Sequence, residues 1–357
     1  MRPIEKERFP YRLEKYLLLF ACPRFLGLPF EVKSDNMTKQ SSHKLYMGID
    51  GGGTKTLGAL ADETGTILAE CKAGPSSIVG VPSAESCAVL QSVRDTLCER
   101  AGVRTDAIAW LGLGLNGVDF QEETIMQHGV LSRVLAVAPE RFILVNDGIA
   151  ALWGATPAPA AAIVQHGTGF TAAYRSAYGE ERPFDNLDAG RFYDLRLEAL
   201  ALVARMIDGR VAVSPLKEAI LACLDHPEEK DYGEIVFLRK YSQPQLAAIQ
   251  PAVLRVADAG DAAAQSIVER AIADYVCTAV TIVRKTGSSR SDVVFGGGRL
   301  LSAPDWFMKR IVDGVLRECP GARIRRPGLS PAIGAVIMAA HAGGCSPTRF
   351  FQGCCHD

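Results

Sequence analysis

An excess of charge of either sign is missing from this chain. Its 357 residues carry 39 Lys and Arg against 40 Asp and Glu, for a formal net charge of -1. Nucleic-acid binding needs a basic excess or stripe to neutralise phosphates, so that class of partner is excluded as the main one. Long apolar runs are missing as well, and none reaches the ~18 residues of a membrane span. Metal-ligand spacings are absent. The ten cysteines, at 22, 71, 87, 98, 223, 277, 319, 345, 354 and 355, form no CxxC, and the six histidines form no HxxxH or HExxH. Cysteines spread in this way read as thiols of a reducing compartment, which points to the cytoplasm and away from a disulfide framework, a zinc site or an iron–sulfur site. Two nucleotide signatures do not fit the first glycine run: the chain has no GxxxxGK[ST], and no helix follows that run as the Rossmann order requires.

What is present is ordinary in bulk, at 48% hydrophobic and 22% charged, and the length suits two domains. Residues 1–43 alternate charge with a short apolar stretch broken at Pro23 and Arg24. Acidic residues precede that stretch and no small-residue cleavage site follows it, so the segment is a poor signal peptide and is expected to lie outside the fold. The tail, 344–357, is likewise expected outside the core. Between them "YMGID" reads as a strand, "TKTLGALAD" as a second and "GTILAE" as a third, so the glycine run at 51–53 joins two strands and opens no helix. Ser83 and Gly102 bracket a helix as N-cap and stop. "AIAWLGLGLNG" is a buried strand, "QEETIMQHGVLSRVLA" is helical, and "RFILVNDGIAALWGAT" runs strand, turn, helix.

The prolines and alanines of 156–160 mark a linker. After it the opening pattern is echoed as strand, Gly-Thr-Gly turn, strand in "AAAIVQHGTGFTAAYRS". A mostly helical stretch from Asp194 to Lys285 follows. "SDVVFGGGRL" is then strand, glycine loop, helix, and a last helix is capped by Ser330 with Pro331 at its first position. Two segments that each open on strand, glycine turn, strand suggest a duplication with a cleft between. The expected division is 44–155, 156–330 and a closing helix at 331–343.

Three glycine loops and two acidic turns carry the candidate chemistry. In "DGGGTKT", Gly51, Gly52 and Gly53 allow positive φ and let an anion approach backbone N–H groups that side chains would cover. Thr54 and Thr56 add hydroxyls, Lys55 adds charge, and Asp50 at the strand end suits magnesium held through water. A plain hairpin turn is the alternative. Gly167, Thr168 and Gly169 form a second phosphate-loop candidate. Gly296, Gly297 and Gly298 suit a flat ring lying against backbone. Asn146 and Asp147 end a buried strand where a helix begins, so Asp147 is either an N-cap or a general base in a cleft. Asp188, with Asn186, offers groups for hydroxyl binding.

In this order the pieces resemble the sugar-kinase/Hsp70/actin superfamily, and within it the N-acetylglucosamine kinase and BadF/BadG/BcrA/BcrD ATPase branch, over about residues 45–343. "GIDGGGTKT" is similar to that branch's first phosphate motif, "VNDGIAALWGAT" to its catalytic-aspartate segment, "GTG" at 167–169 to its second phosphate motif, "VVFGGGRL" to its adenosine motif and "SPAIGAVIMAA" to its closing helix. The resemblance implies an α/β chain of two actin-like (ribonuclease H-like) domains with ATP and magnesium in the cleft. It implies ATP-dependent phosphorylation of an amino sugar, N-acetylglucosamine or glucosamine, with Asp147 as the base. It puts Asn146, Asp147, Thr168 and Asp188 at the sugar, and a homodimer is expected. The sugar side departs from the pattern. Ala189 stands where glutamate is usual, Asn116 replaces a small residue, the stretch 74–80 lacks an asparagine near Ser77, and Phe170 replaces serine and is expected to narrow the space for an acetyl group. The alternatives are a BadF-type ATPase that activates a partner enzyme and a sugar or nucleotide sensor without catalysis.

Overall fold

Two five-stranded sheets repeat one plan in the computed structural model, which describes residues 43–184 and 193–352. In the first, β1 (Leu45–Gly51), β2 (Thr56–Asp62) and β3 (Ile67–Ala73) form an antiparallel meander, and β4 (Ile108–Leu115) and β5 (Phe142–Asn146) add to β1 in parallel, giving the order β3-β2-β1-β4-β5. In the second, β6 (Ala161–His166), β7 (Phe170–Arg175) and β8 (Glu181–Pro183) form the meander, and β9 (Asp292–Gly296) and β10 (Arg323–Arg325) add in parallel. Its order, read from the meander, is β8-β7-β6-β9-β10. The same topology on both sides is what a duplication leaves.

The helices fall where the local signals put them. α1 (Ala84–Ala101) starts at Ser83, whose hydroxyl accepts from the Ser86 N–H, and stops at Gly102 with φ 64°. α2 (Gln121–Val134) links β4 to β5, and α3 (Asp147–Ala155) follows β5 directly. The helical stretch of the second half resolves into α4 (Leu195–Ile207), α5 (Pro215–Cys223), α6 (Glu229–Phe237), α7 (Gln243–Asp258) and α8 (Ala262–Lys285). A short α9 (Gly298–Leu301), α10 (Asp305–Glu318) and α11 (Pro331–Ala342) complete the set. α11 is capped by Ser330, which accepts from the Ile333 N–H, with Pro331 in the first turn.

Three apolar cores result. One lies between the first sheet and α1 and α2, built on Met47, Ile49, Leu90, Leu111 and Leu131. Another packs the helices of the second half on the second sheet through Val164, Tyr275 and Phe307. The central core joins the halves. α11 lies on β1 and β4, α3 lies against β6 and β7, and the two helices pack on one another. Contact there is backbone on backbone. A Cβ at Gly48 would overlap the Ala332 carbonyl and the Val336 N–H, one at Gly112 would overlap the Ala335 carbonyl, and one at Gly334 would overlap the Ala150 carbonyl. Such closeness is open only to glycine, and it lets small side chains bury much backbone at high density.

The tail departs from expectation. Residues 344–352 are part of the fold: Phe350 is 7% exposed within the central core, the Tyr46 hydroxyl and Cys345 Sγ are 3.3 Å apart, and Arg349 Nη1 donates to the Glu63 carbonyl at 3.1 Å. Burying the aromatic pair Phe350 and Phe351 outweighs the polar Ser-Pro-Thr-Arg run that made the segment look like a tail. The segment 1–42 lies outside the described residues. His43, at its end, bonds through Nδ1 to Glu63 Oε1 at 2.9 Å.

The close approach of α11 to β1 sets an expectation for substitution. Gly48→Ala lowers unfolding stability by about 1–3 kcal/mol, because a buried backbone has to shift. Gly74→Ala, where an added Cβ meets nothing within 4 Å, stays within about 0.5 kcal/mol. Urea unfolding of the two variants checks this, and equal stabilities would mean the helix–sheet contact is looser than described.

Candidate active site

The first glycine loop leaves β1 at Gly51, just after Asp50. Gly52 N–H donates to the Lys55 carbonyl at 3.1 Å, and the Gly52 carbonyl accepts from the N–H groups of Ser76 and Ser77 at 3.1 and 3.3 Å. The three glycines divide by purpose. An added Cβ at Gly51 would overlap Ser76 Oγ and lie 2.5 Å from Leu115 Cδ1, so Gly51 is there for packing. At Gly52 and Gly53 the nearest atoms would be 3.5 and 3.8 Å away, so those two keep a face of the loop uncovered. None of the three has positive φ, so the conformational part of the expectation is corrected: space is the constraint, not the left-handed region.

Thr56 is corrected too. It is fully buried, donates to the Gly74 carbonyl at 2.7 Å and lies 2.7 Å from Ser76 Oγ, so its hydroxyl fastens the segment 74–76 that follows β3 instead of facing a ligand. Its pairing opposite Gly51 puts its side chain on the inner face of β2. Thr54 and Lys55 are exposed, and the N–H groups of Gly53 and Thr54 have no protein partner among the described residues.

The second hairpin meets the first. Thr54 Oγ1 and Thr168 Oγ1 are 2.9 Å apart, so the two tips touch across the halves. Gly167 N–H donates to the Gly169 carbonyl at 2.9 Å, and added Cβ atoms at 167 and 169 would meet nothing within 4 Å. The third glycine run lies directly behind. Gly297 has φ 84°, and a Cβ there would sit 2.5 Å from the His166 carbonyl carbon, so this chain approach requires glycine. Gly298 is open, and a Cβ at Gly296 would be 3.1 Å from Gln165 Cγ.

Sequence reasoning missed what lies beneath. Arg299 Nε donates to the Gly167 carbonyl at 2.6 Å, its Nη2 donates to the Thr168 carbonyl at 3.1 Å, and its Nη1 is 3.4 Å from Asp194 Oδ2. Burial pulls the guanidinium down to about 10 against the pull of Asp194. His166 is buried beside it, bonds through Nδ1 to the Tyr275 hydroxyl, and is pushed down to about 3, first by burial and then by Arg299, so its ring is neutral. Phe170 packs on this group, with ring centres 5.6 Å from His166 and 6.4 Å from Tyr275. It is partly buried and packs against the second core.

Two aspartates converge on the space before the hairpins. Asp147 is the first residue of α3, and the N-cap is Asn146, whose Oδ1 accepts from the Gly148 N–H at 2.8 Å. Asp147 Oδ1 shares that donor at 2.9 Å. Asn146 Nδ2 donates to Asp119 Oδ1 at 2.8 Å. Asn146, expected on the sugar, is 2% exposed and has its amide engaged on both ends, so it stands behind Asp147 as a support. Asp119 lies in the turn between β4 and α2, and no sequence motif singles it out. Asp50 is pushed up to about 7, chiefly by burial, next by the negative charge of Asp147, with Lys55 partly opposing. Asp50, Lys55 and Asp147 therefore form one electrostatic group.

No cluster of three or more His, Cys, Asp or Glu that could hold a metal occurs among the described residues. A pair of carboxylates fits magnesium, which keeps several waters and takes its remaining ligands from phosphates. Asp188 and Ala189 lie outside the described residues.

The comparisons bear on the same stretch of chain. The model of the BadF/BadG/BcrA/BcrD ATPase family matches residues 47–339. Among curated proteins, the chain is 22% identical to the N-acetylmuramic acid/N-acetylglucosamine kinase of Clostridium acetobutylicum over 83% of this chain and 98% of the relative. It is 27% identical to the glucosamine kinase of Vibrio cholerae over 76% of this chain and 90% of that one. Among solved structures, a Chromobacterium violaceum protein assigned as N-acetylglucosamine kinase aligns at a TM-score of 0.62 and 25% identity, over 84% of this chain and 100% of its own.

The raised carboxyl of Asp50 makes stability depend on pH. Its proton is held up to about pH 7 when folded and lost near 3.8 when unfolded. Between those values the unfolded chain has lost a proton that the fold still holds, so this group's contribution falls as pH rises and levels off above 7. Asp50→Asn removes that loss. In the ligand-free protein it is expected to match wild type near pH 4 and to exceed it by on the order of 1–3 kcal/mol at pH 8. Chemical denaturation at the two pH values checks this, and an equal effect at both would show that Asp50 is solvated.

Proposed function

The chain belongs to the BadF/BadG/BcrA/BcrD ATPase family, and from that membership we propose that it is an ATP-dependent kinase of an amino sugar. One observation carries the reading: an acidic pair, Asp50 and Asp147, at the ends of neighbouring elements before two touching glycine hairpins. The names of the relatives support the substrate class, since one phosphorylates N-acetylmuramic acid or N-acetylglucosamine and another glucosamine.

In this proposal the uncovered N–H groups of Gly53, Thr54, Thr168 and Gly169 take phosphate oxygens, and Lys55 adds a positive charge. Asp147 orients the sugar hydroxyl and accepts its proton as the oxygen attacks the γ-phosphorus. The new O–P bond forms as the bond to the ADP oxygen breaks. Asn146 and Asp119 hold Asp147 from behind. Asp50 would hold magnesium through water, and that ion, when bound, offsets charge on the phosphates. The base would lie on the loop 296–298, with Asp188 on the sugar.

The proposed division is 44–155 and 156–330, with the helix at 331–343 closing back onto the first. The two halves would turn about the place where Leu329 N–H meets the Gly154 carbonyl at 2.8 Å. Closure there excludes water and limits idle ATP hydrolysis.

The experiment is ADP release measured over N-acetylglucosamine, glucosamine, N-acetylmannosamine and glucose. With glutamate absent at Ala189, glucosamine is expected to be used at least as well as N-acetylglucosamine by kcat/KM. A preference for N-acetylglucosamine of a hundredfold or more would mean that other residues supply the missing contacts. Asp147→Asn is expected to lower kcat by ~10²–10⁴-fold with ATP affinity nearly intact. No turnover of any sugar by a protein that binds ATP overturns the kinase reading.

A further inference from the structure

A hairpin tip that offers N–H groups to an anion turns its carbonyls the other way, and those carbonyls need donors of their own. At 167–169 one side chain supplies them. Arg299 gives Nε to the Gly167 carbonyl at 2.6 Å and Nη2 to the Thr168 carbonyl at 3.1 Å, so a single rigid fork takes two consecutive carbonyls. Among the described residues the N–H groups of Thr168 and Gly169 have no protein partner.

Arg299 is itself held from several sides. Asp194 faces its Nη1 and also takes Arg196, while Gln250 Nε2 donates to its backbone carbonyl at 2.9 Å. Two residues earlier, Gly297 lies against the backbone of His166. The side chain is only 13% exposed. A mostly buried cation directed at two neutral carbonyls is a costly arrangement. Hairpin closure does not call for it, because β6 and β7 pair from His166 and Phe170 onward without it.

We propose that Arg299 is a positioning residue for phosphate binding: by taking the carbonyls of Gly167 and Thr168 it turns the N–H face of that tip to the cleft, and it locks the tip to the glycine run at 296–298. This rests on the proposed ATP site and deepens it.

The test uses the full chain and begins without ligand. In Arg299→Met, hydrogen–deuterium exchange of the peptide spanning 166–170 becomes about tenfold faster, while the peptide spanning 51–56 does not change. Unchanged exchange at 166–170 overturns the proposal. Calorimetry follows. Arg299→Met weakens binding of ATP with magnesium by about 10–100-fold, the effect of losing charge-assisted hydrogen bonds at the tip, and leaves adenosine within about twofold. Equal losses for ATP and adenosine point to general damage and overturn it.

Arg299→Lys keeps a cation for Asp194, so it serves as the folded control should the Met variant unfold, but it lacks the fork and loses ATP affinity in the same direction. Wild-type affinity in Arg299→Lys overturns the proposal. In Arg299→Gly, millimolar guanidinium restores part of the ATP affinity and sodium chloride at equal ionic strength does not; equal effects of the two salts overturn it. If the wild-type protein binds neither ATP nor adenosine, the kinase reading fails, and the exchange measurement alone decides the role of Arg299.

Discussion

The absence of side chains where α11 meets β1 and β4 and where it crosses α3 is the constraint on which the rest depends. Gly48, Gly112 and Gly334 bring backbone onto backbone, and the small residues around them close the central core. Because α11 is pressed onto the strand that carries Asp50 next to its end, and α3 begins at Asp147, the two acids are aimed by the same contact. A bulkier helix interface would separate the halves and with them the acidic pair. Packing precision in the middle of the molecule thus becomes electrostatic precision at its cleft.

That electrostatic group is built under tension. Asp50 is largely dehydrated, and the negative charge of Asp147 adds to the cost of ionising it. Such an arrangement is unfavourable in the empty protein and favourable once positive charge arrives, which is a recurring trade between stability and function. The supports around Asp147 follow the same logic. Asn146 is fully engaged by Gly148 and Asp119, so the acid beside it does not have to cap its own helix alone.

Legibility in the sequence followed the range of the interaction. Ser83, Gly102, Ser330 and Pro331 act within one turn of chain, and each lies where local chemistry places it. The strand-end positions of Asp50 and Asp147 were visible because alternation and turn residues mark strand ends. What a residue meets across the fold was not visible. Gly51 and Thr56 belong to the same quoted motif as Gly53, yet strand register turns the first two inward. Phe350 looked like tail until the central core received it. Arg299 stood in a quoted motif too, but its partners at 167 and 168 are more than a hundred positions away, and a glycine-rich pattern says nothing of what holds its carbonyls.

The contact between Thr54 and Thr168 makes each hairpin the other's ligand. An incoming anion competes with a partner already tethered at high effective concentration, so a single phosphate, which replaces one hydroxyl contact while breaking the pair, gains little. A chain of phosphates long enough to reach both tips replaces both. Length discrimination between inorganic phosphate and a polyphosphate can therefore arise without any side chain that measures length, from two hydroxyls that satisfy each other until something spans them.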